Sequence, residues 1–242
     1  MSKFPLIRLI SIEMDPFFLV ELIIVFSVFF ANYSSIYLLG MQPTFSSPNI
    51  YHFTGDILDA IYFSYLLVLS FNSFMVISFL ENGKILTLVA LGRSVKSILA
   101  YMFLWAVLYP TIITALIFTV NVYFFEFSVF PAVFAEMAFY LVSFSVLFLG
   151  ASLLFGSSIR NPVVSAGSFF ALFFFILPQF LGNNAKNNPI FYALAGFSYV
   201  GSYHPFSNVF VEGAILELVM GILLFALSIK VVERRGIKPV RR

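Results

Sequence analysis

Residues 81–97 read ENGKILTLVALGRSVKS, and they separate two long apolar runs, 57–80 and 98–120. The stretch carries Glu81, Lys84, Arg93 and Lys96 in a chain where only 10% of residues are charged. Its apolar centre, ILTLVALG, makes one to two helical turns, far fewer than the ~20 residues that cross a bilayer. Glu81-Asn82-Gly83-Lys84 ends one apolar run at a surface, and Arg93-Ser94-Val95-Lys96 opens the next. A short helix lying flat on that surface, rimmed by Glu81, Lys84, Arg93 and Lys96, is the predicted structure. An ordinary basic loop would carry the same charges, so charge alone does not separate the two.

Outward from this stretch the chain is mostly apolar. Of its 242 residues, 61% are hydrophobic, and the mean hydropathy is +1.02. A soluble domain has roughly 25% charged residues, so length here counts spans rather than soluble domains. The reading is an all-α polytopic membrane protein, a single membrane domain over 1–242. Six transmembrane helices are expected at about 17–39, 57–80, 98–120, 131–155, 163–181 and 211–232. Residues 3–15 precede them as a short interfacial helix. Pro5 suits its first turn, and Phe4, Ile7, Ile10 and Met14 recur at helical spacing while Arg8 falls off that stripe. The N-terminus lacks the small-residue cleavage site of a signal peptide, so the first span is expected to stay as an anchor.

Orientation follows from the basic residues. Lys3 and Arg8, then Lys84, Arg93 and Lys96, then Arg160, then Lys230, Arg234, Arg235, Lys238, Arg241 and Arg242 all fall on one side of a six-span chain. Lys186 alone falls on the other. Basic loops stay in the cytoplasm, so both termini and the 81–97 stretch are expected there.

Between the fifth and sixth expected spans, 182–210 turns from the polar GNNAKNN to the apolar PIFYALAGFSYVGSY and then HPFSN. About 15 apolar residues cannot cross a bilayer, but they can dip into it and return. Asn188-Pro189 suits a helix start and His204-Pro205 a break. The expectation is a re-entrant hairpin over 188–206 that turns at His204, Pro205 and Phe206.

Little in the chain points to catalysis. There is no cysteine, and His52 and His204 are the two histidines. No phosphate-binding GxxxxGK[ST], HExxH or GxSxG motif occurs, so no enzyme active site, cofactor, metal site or nucleic-acid surface is expected. Glu21 reads as close to the inner face, and Glu136, Glu212 and Glu217 as close to the outer one. No span then carries a mid-membrane carboxylate beside a basic partner, which disfavours an ion-coupled carrier. Asp56, Asp59, Glu126, Glu136, Glu212 and Glu217 gather on the outer side, where topological sorting of lysine and arginine alone leaves acids unopposed. Small residues pair four apart at Ser152 and Gly156 and at Gly167 and Ala171, a spacing that lets helices pack closely inside a bundle or across a dimer seam.

The run Glu81-x-Gly83, Leu88, Leu91-Gly92-Arg93-Ser94-x-Lys96 resembles the loop between the second and third spans of type-2 ATP-binding-cassette (ABC) permeases, the exporter-type family. The layout is similar across the whole chain: a surface helix ending at Met14-Asp15-Pro16, six spans, both ends inside, and a re-entrant turn at His204-Pro205-Phe206. Two positions depart from the family pattern. Leu91-Gly92 stands where a proline usually precedes the arginine, and Met14 stands where a basic residue precedes Asp15. The resemblance implies that two such subunits pair, as a homodimer or with a sister chain, and that each seats a cytoplasmic ABC ATPase. It implies a coupling surface made of Glu81, Gly83, Lys84, Arg93, Lys96 and the Arg8 helix, with ATP hydrolysis on the partner. A non-transporting membrane anchor or assembly subunit of another complex is the alternative.

Overall fold

The computed structural model describes residues 50–124, 131–173 and 208–235 and the single position 23, with side chains placed over 65–116, 138–173 and 211–235. Among the described residues the chain is helical throughout, with six helices: α1 (Ile50–Glu81), α2 (Lys84–Ala90), α3 (Val95–Phe124), α4 (Pro131–Ile159), α5 (Pro162–Ala171) and α6 (Asn208–Arg235). The expected surface helix over 3–15 with Arg8, the first span over 17–39, and the re-entrant segment with His204, Pro205 and Phe206 lie outside the described residues.

Three stretches, Val95–Leu116, Ala138–Ile159 and Val211–Arg235, are long and apolar enough to cross a membrane. A fourth candidate begins in α1 and includes α2, with a bend of 63° between the two helices. At 32 residues α1 reaches roughly 48 Å by helical rise, more than the ~30 Å hydrocarbon thickness. It begins at Ile50, seven residues ahead of the expected start at 57, and passes straight through His52 and Asp56. A helix longer than the hydrocarbon layer can carry such polar residues on its projecting turn.

Helices α3, α4 and α6 also outrun the apolar limits read from sequence. By contrast, α5 covers only the first part of the expected fifth span at 163–181: it runs ten residues, Pro162–Ala171, and 174–181 lie outside the described residues. Whereas the fourth span was expected to end at 155, α4 continues to Ile159. Its serines do not break it, because the Ser157 and Ser158 hydroxyls both donate back to Leu154 O, at 2.9 and 2.8 Å. The helix stops at Arg160, whose φ of 60° is left-handed and whose N–H donates to Gly156 O at 2.7 Å. Asn161 then caps α5, its Oδ1 accepting from Val164 N at 3.1 Å, with Pro162 in the first turn.

The core lies where α1 meets α3, α4 and α5, around Tyr65, Leu66, Leu69, Ile77, Phe144 and Phe148. Polar pairs thread this core. Tyr65 Oη donates to Leu141 O at 2.9 Å and meets Ser145 Oγ, and Ser73 Oγ meets Ser152 Oγ. The Ser165 hydroxyl donates to Ser152 O at 2.8 Å. Such bonds hold apolar helices together where water offers no driving force. In α3, Pro110 has no N–H, which leaves the carbonyl four residues back, Ala106 O, without its helical donor. Asn72 Nδ2 on α1 supplies one at 3.2 Å.

Most of the packing of α6 is against α4. The two backbones meet so closely that a Cβ on Gly150 would lie 2.3 Å from Gly221 O, and one on Gly221 would lie 2.5 Å from Val146 O. On its other side α6 shows Ile215, Leu216, Val219, Met220, Ile222, Leu223 and Leu227, each 41–58% exposed. Phe225 reaches α3, where its ring stacks on Phe103 at 4.0 Å between centroids.

Candidate functional site

Two glycines shape the surface element at 81–97. Gly83 (φ 67°) closes α1 and opens α2, and Gly92 (φ 83°) closes α2. Both conformations are ones that a Cβ disfavours. Beyond Ala90, Arg93 N–H donates to Leu88 O at 3.3 Å and Gly92 N–H to Val89 O at 2.9 Å. This is a Schellman stop, which satisfies the last carbonyls of α2 and turns the chain sharply.

Seven residues make a helix too short to persist on its own. Ile85 and Leu88, three apart on one face, are buried in the bundle core at 0% and 6% exposure and hold α2 down. Lys84, Thr87, Ala90, Leu91 and Arg93 point outward, and Leu91 is 64% exposed. The outward face is therefore an apolar knob with cationic residues on both sides. Ser94 starts α3, its Oγ accepting from Ser97 N at 3.2 Å while Ser97 Oγ donates back to Ser94 O at 2.9 Å.

The structure brings Glu81, Gly83, Lys84, Arg93 and Lys96 together at one end of the bundle, all but the half-buried Gly83 exposed. It adds partners from distant sequence. Lys96 Nζ lies 3.6 Å from Glu233 Oε1, which ties the start of α3 to the end of α6. Arg160 Nη2 donates to Arg235 O at 3.3 Å, and Arg235 Nη1 donates to Ser158 O. The α2 turn, the α4–α5 turn and the end of α6 thus share one basic face. Neither Glu233 nor Arg235 as a partner was legible locally, since their contacts join residues 137 and 75 positions apart in the chain.

The small-residue pairs divide. Ser152 and Gly156 are internal: a Cβ on Gly156 would lie 2.2 Å from Ile77 Cδ1 and 3.0 Å from Ser165 Oγ. Gly167 faces outward with nothing within 4 Å, and Ala171 is half-buried on the same helix. The tightest seam, Gly150 against Gly221, was missed; its only sequence signal is one glycine in each of two apolar runs. Sequence reads Glu217 as close to the outer face, and what it does not show is that the fold buries this side chain completely. Among the described residues no three His, Asp or Glu side chains converge as metal ligands. No protein-family model, curated protein or solved structure matches the chain.

Proposed function

We propose that the chain is the membrane-spanning subunit of an ATP-driven exporter of the type-2 ABC class, with six spans, both termini in the cytoplasm and a separate ATPase docked on α2. One observation carries the reading: α2 is anchored by Ile85 and Leu88, lies 63° off α1 and presents Leu91 and Arg93 outward. A force applied to this helix passes directly into α1 and α3 through two-residue and four-residue connections. The clasp from Lys96 to Glu233 gives it a second route, into α6. A loop with no mechanical role needs neither the buried anchors nor the two left-handed glycines. The basic face supports a cytoplasmic placement.

In this reading Leu91 enters an apolar pocket on the ATPase, and Arg93 and Lys84 meet acidic groups at its rim. Substrate leaves through the seam between two permease subunits. Copurification of the tagged chain from its own membrane in mild detergent is expected to bring down a soluble P-loop ATPase at about one copy per permease. Replacing Arg93 or Glu81 by alanine is expected to leave membrane insertion intact and weaken ATPase binding or stimulation. An arginine anchor worth about 1.4 kcal/mol changes affinity tenfold. Unchanged stimulation in both variants rejects α2 as the coupling element. Recovery of other membrane subunits without an ATPase would favour an anchor or assembly role instead.

A further inference from the structure

Glu217 is the one carboxylate that the fold buries completely among the described residues. It is 0% exposed, and neither Oε1 nor Oε2 has a hydrogen-bond partner. It lies within the apolar stretch Val211–Arg235, on the buried stripe Gly213, Ala214, Glu217 and Gly221. One turn further along, Gly221 presses against Val146 and Gly150 of α4. Here the backbones of α4 and α6 meet directly.

Among the described residues no cation is available to this carboxylate. The nearest basic residue along α6 is Lys230, 13 positions and about 20 Å away by helical rise. On the elements packed against α6, the described ionisable groups are Lys96, Tyr101 and Tyr109 of α3 and Tyr140 of α4. Lys96 is taken up by Glu233 at the far end, and the three tyrosines bring no positive charge. On α6 itself Glu212 is exposed. A hard metal cation needs several oxygen ligands at once, and among the described residues no three acidic or histidine side chains converge. A bare carboxylate in such a seam is the costly case of an uncompensated charge inside a membrane segment. A single proton cancels this charge without needing further ligands.

We propose that Glu217 is a proton-binding site: the α4–α6 seam closes over the protonated acid and opens toward the Glu212 end when the proton leaves. One O–H bond forms on the carboxylate as a proton arrives from water at that end, and the same bond breaks on release. Unlike the exporter reading, this rests on α6 rather than on α2, so the two stand or fall separately.

Two measurements on the full-length chain test it. First, native membranes are treated with dicyclohexylcarbodiimide, which adds to protonated carboxyls in apolar surroundings, and the adduct is located by mass spectrometry. The adduct is expected on Glu217 and not on the water-exposed Glu212 or Glu233, and it is expected to vanish in Glu217→Gln. Second, the chain has no cysteine, so Ala214→Cys, one turn from Glu217 and fully buried, gives a single reporter of seam opening. Maleimide labelling there is expected to rise several-fold more with pH beside Glu217 than in the Glu217→Gln background. The ratio between backgrounds cancels the thiol's own ionisation. No adduct on Glu217 together with equal labelling in both backgrounds overturns the proposal. Protection of the adduct by added sodium ions would overturn it too, by making the ligand a metal cation.

Discussion

Gly150, Gly156 and Gly167 are three glycines within two neighbouring helices, and each faces a different constraint. At Gly150 the obstacle is backbone, because a Cβ would sit 2.3 Å from Gly221 O. Neither helix can yield there without α4 and α6 moving apart. At Gly156 the nearest obstacle is Ile77 Cδ1, the far end of a flexible side chain, and at Gly167 there is none within 4 Å. Gly150→Ala is therefore expected to destabilise the protein by about 1–3 kcal/mol, as overpacking does. Gly167→Ala is expected to be neutral or to add up to ~1 kcal/mol through helix propensity. Melting of the two variants in the same detergent checks the contrast, and equal midpoints would mean that α4 and α6 do not meet at Gly150 and Gly221. Residue spacing showed that Ser152 and Gly156 share a helix face, as do Gly167 and Ala171. It did not say which neighbour each face meets, and so left the interior pair and the outward pair looking alike.

At the scale of elements, α1 and α3 are coupled by a defect and its repair. Pro110 takes the helical donor away from Ala106 O, and Asn72 Nδ2 returns one across the helix interface. A backbone carbonyl left unpaired in an apolar bundle is expensive, so Asn72→Ala is expected to cost about 1–3 kcal/mol. Pro110→Ala restores an N–H at position 110 that can donate to Ala106 O within α3. In that background the cost of Asn72→Ala is expected to fall well below its value in the natural chain. A double-mutant cycle on melting free energies reads the difference directly, and additive costs would show that Asn72 does not serve Ala106. The sequence makes the proline visible and the asparagine visible, but not their partnership, since 34 residues separate Asn72 from Ala106. The bounds of α2, by contrast, were legible. Gly83, Gly92 and the charges around them act within a few residues of where they stand, and local causes leave local marks.

For the whole molecule, the arrangement of charge is the feature that sequence and structure share. The basic residues were sorted to one side by counting spans, and the described part of the bundle brings Lys84, Arg93, Lys96, Arg160 and Arg235 to one end through contacts that counting does not use. These contacts contribute little stability by themselves. The pair from Lys96 to Glu233 is exposed at 67% and 39%, and an ion pair so solvated is worth at most about 1 kcal/mol. Their consequence is topological: α1 and α3 must run opposite ways, while α4 and α6 run the same way. Because the chain has no cysteine, single cysteines can report this one position at a time. Cysteines replacing Lys84, Arg160 and Arg234 are expected to react with a membrane-impermeant maleimide only in inside-out vesicles or after permeabilisation. One replacing Asn208, at the opposite end of α6, is expected to react in intact cells. Labelling of Lys84→Cys and Arg234→Cys from opposite sides would contradict the shared basic face itself. Labelling of both from outside would keep the fold and invert its orientation, placing α2 where no cytoplasmic ATPase can reach it.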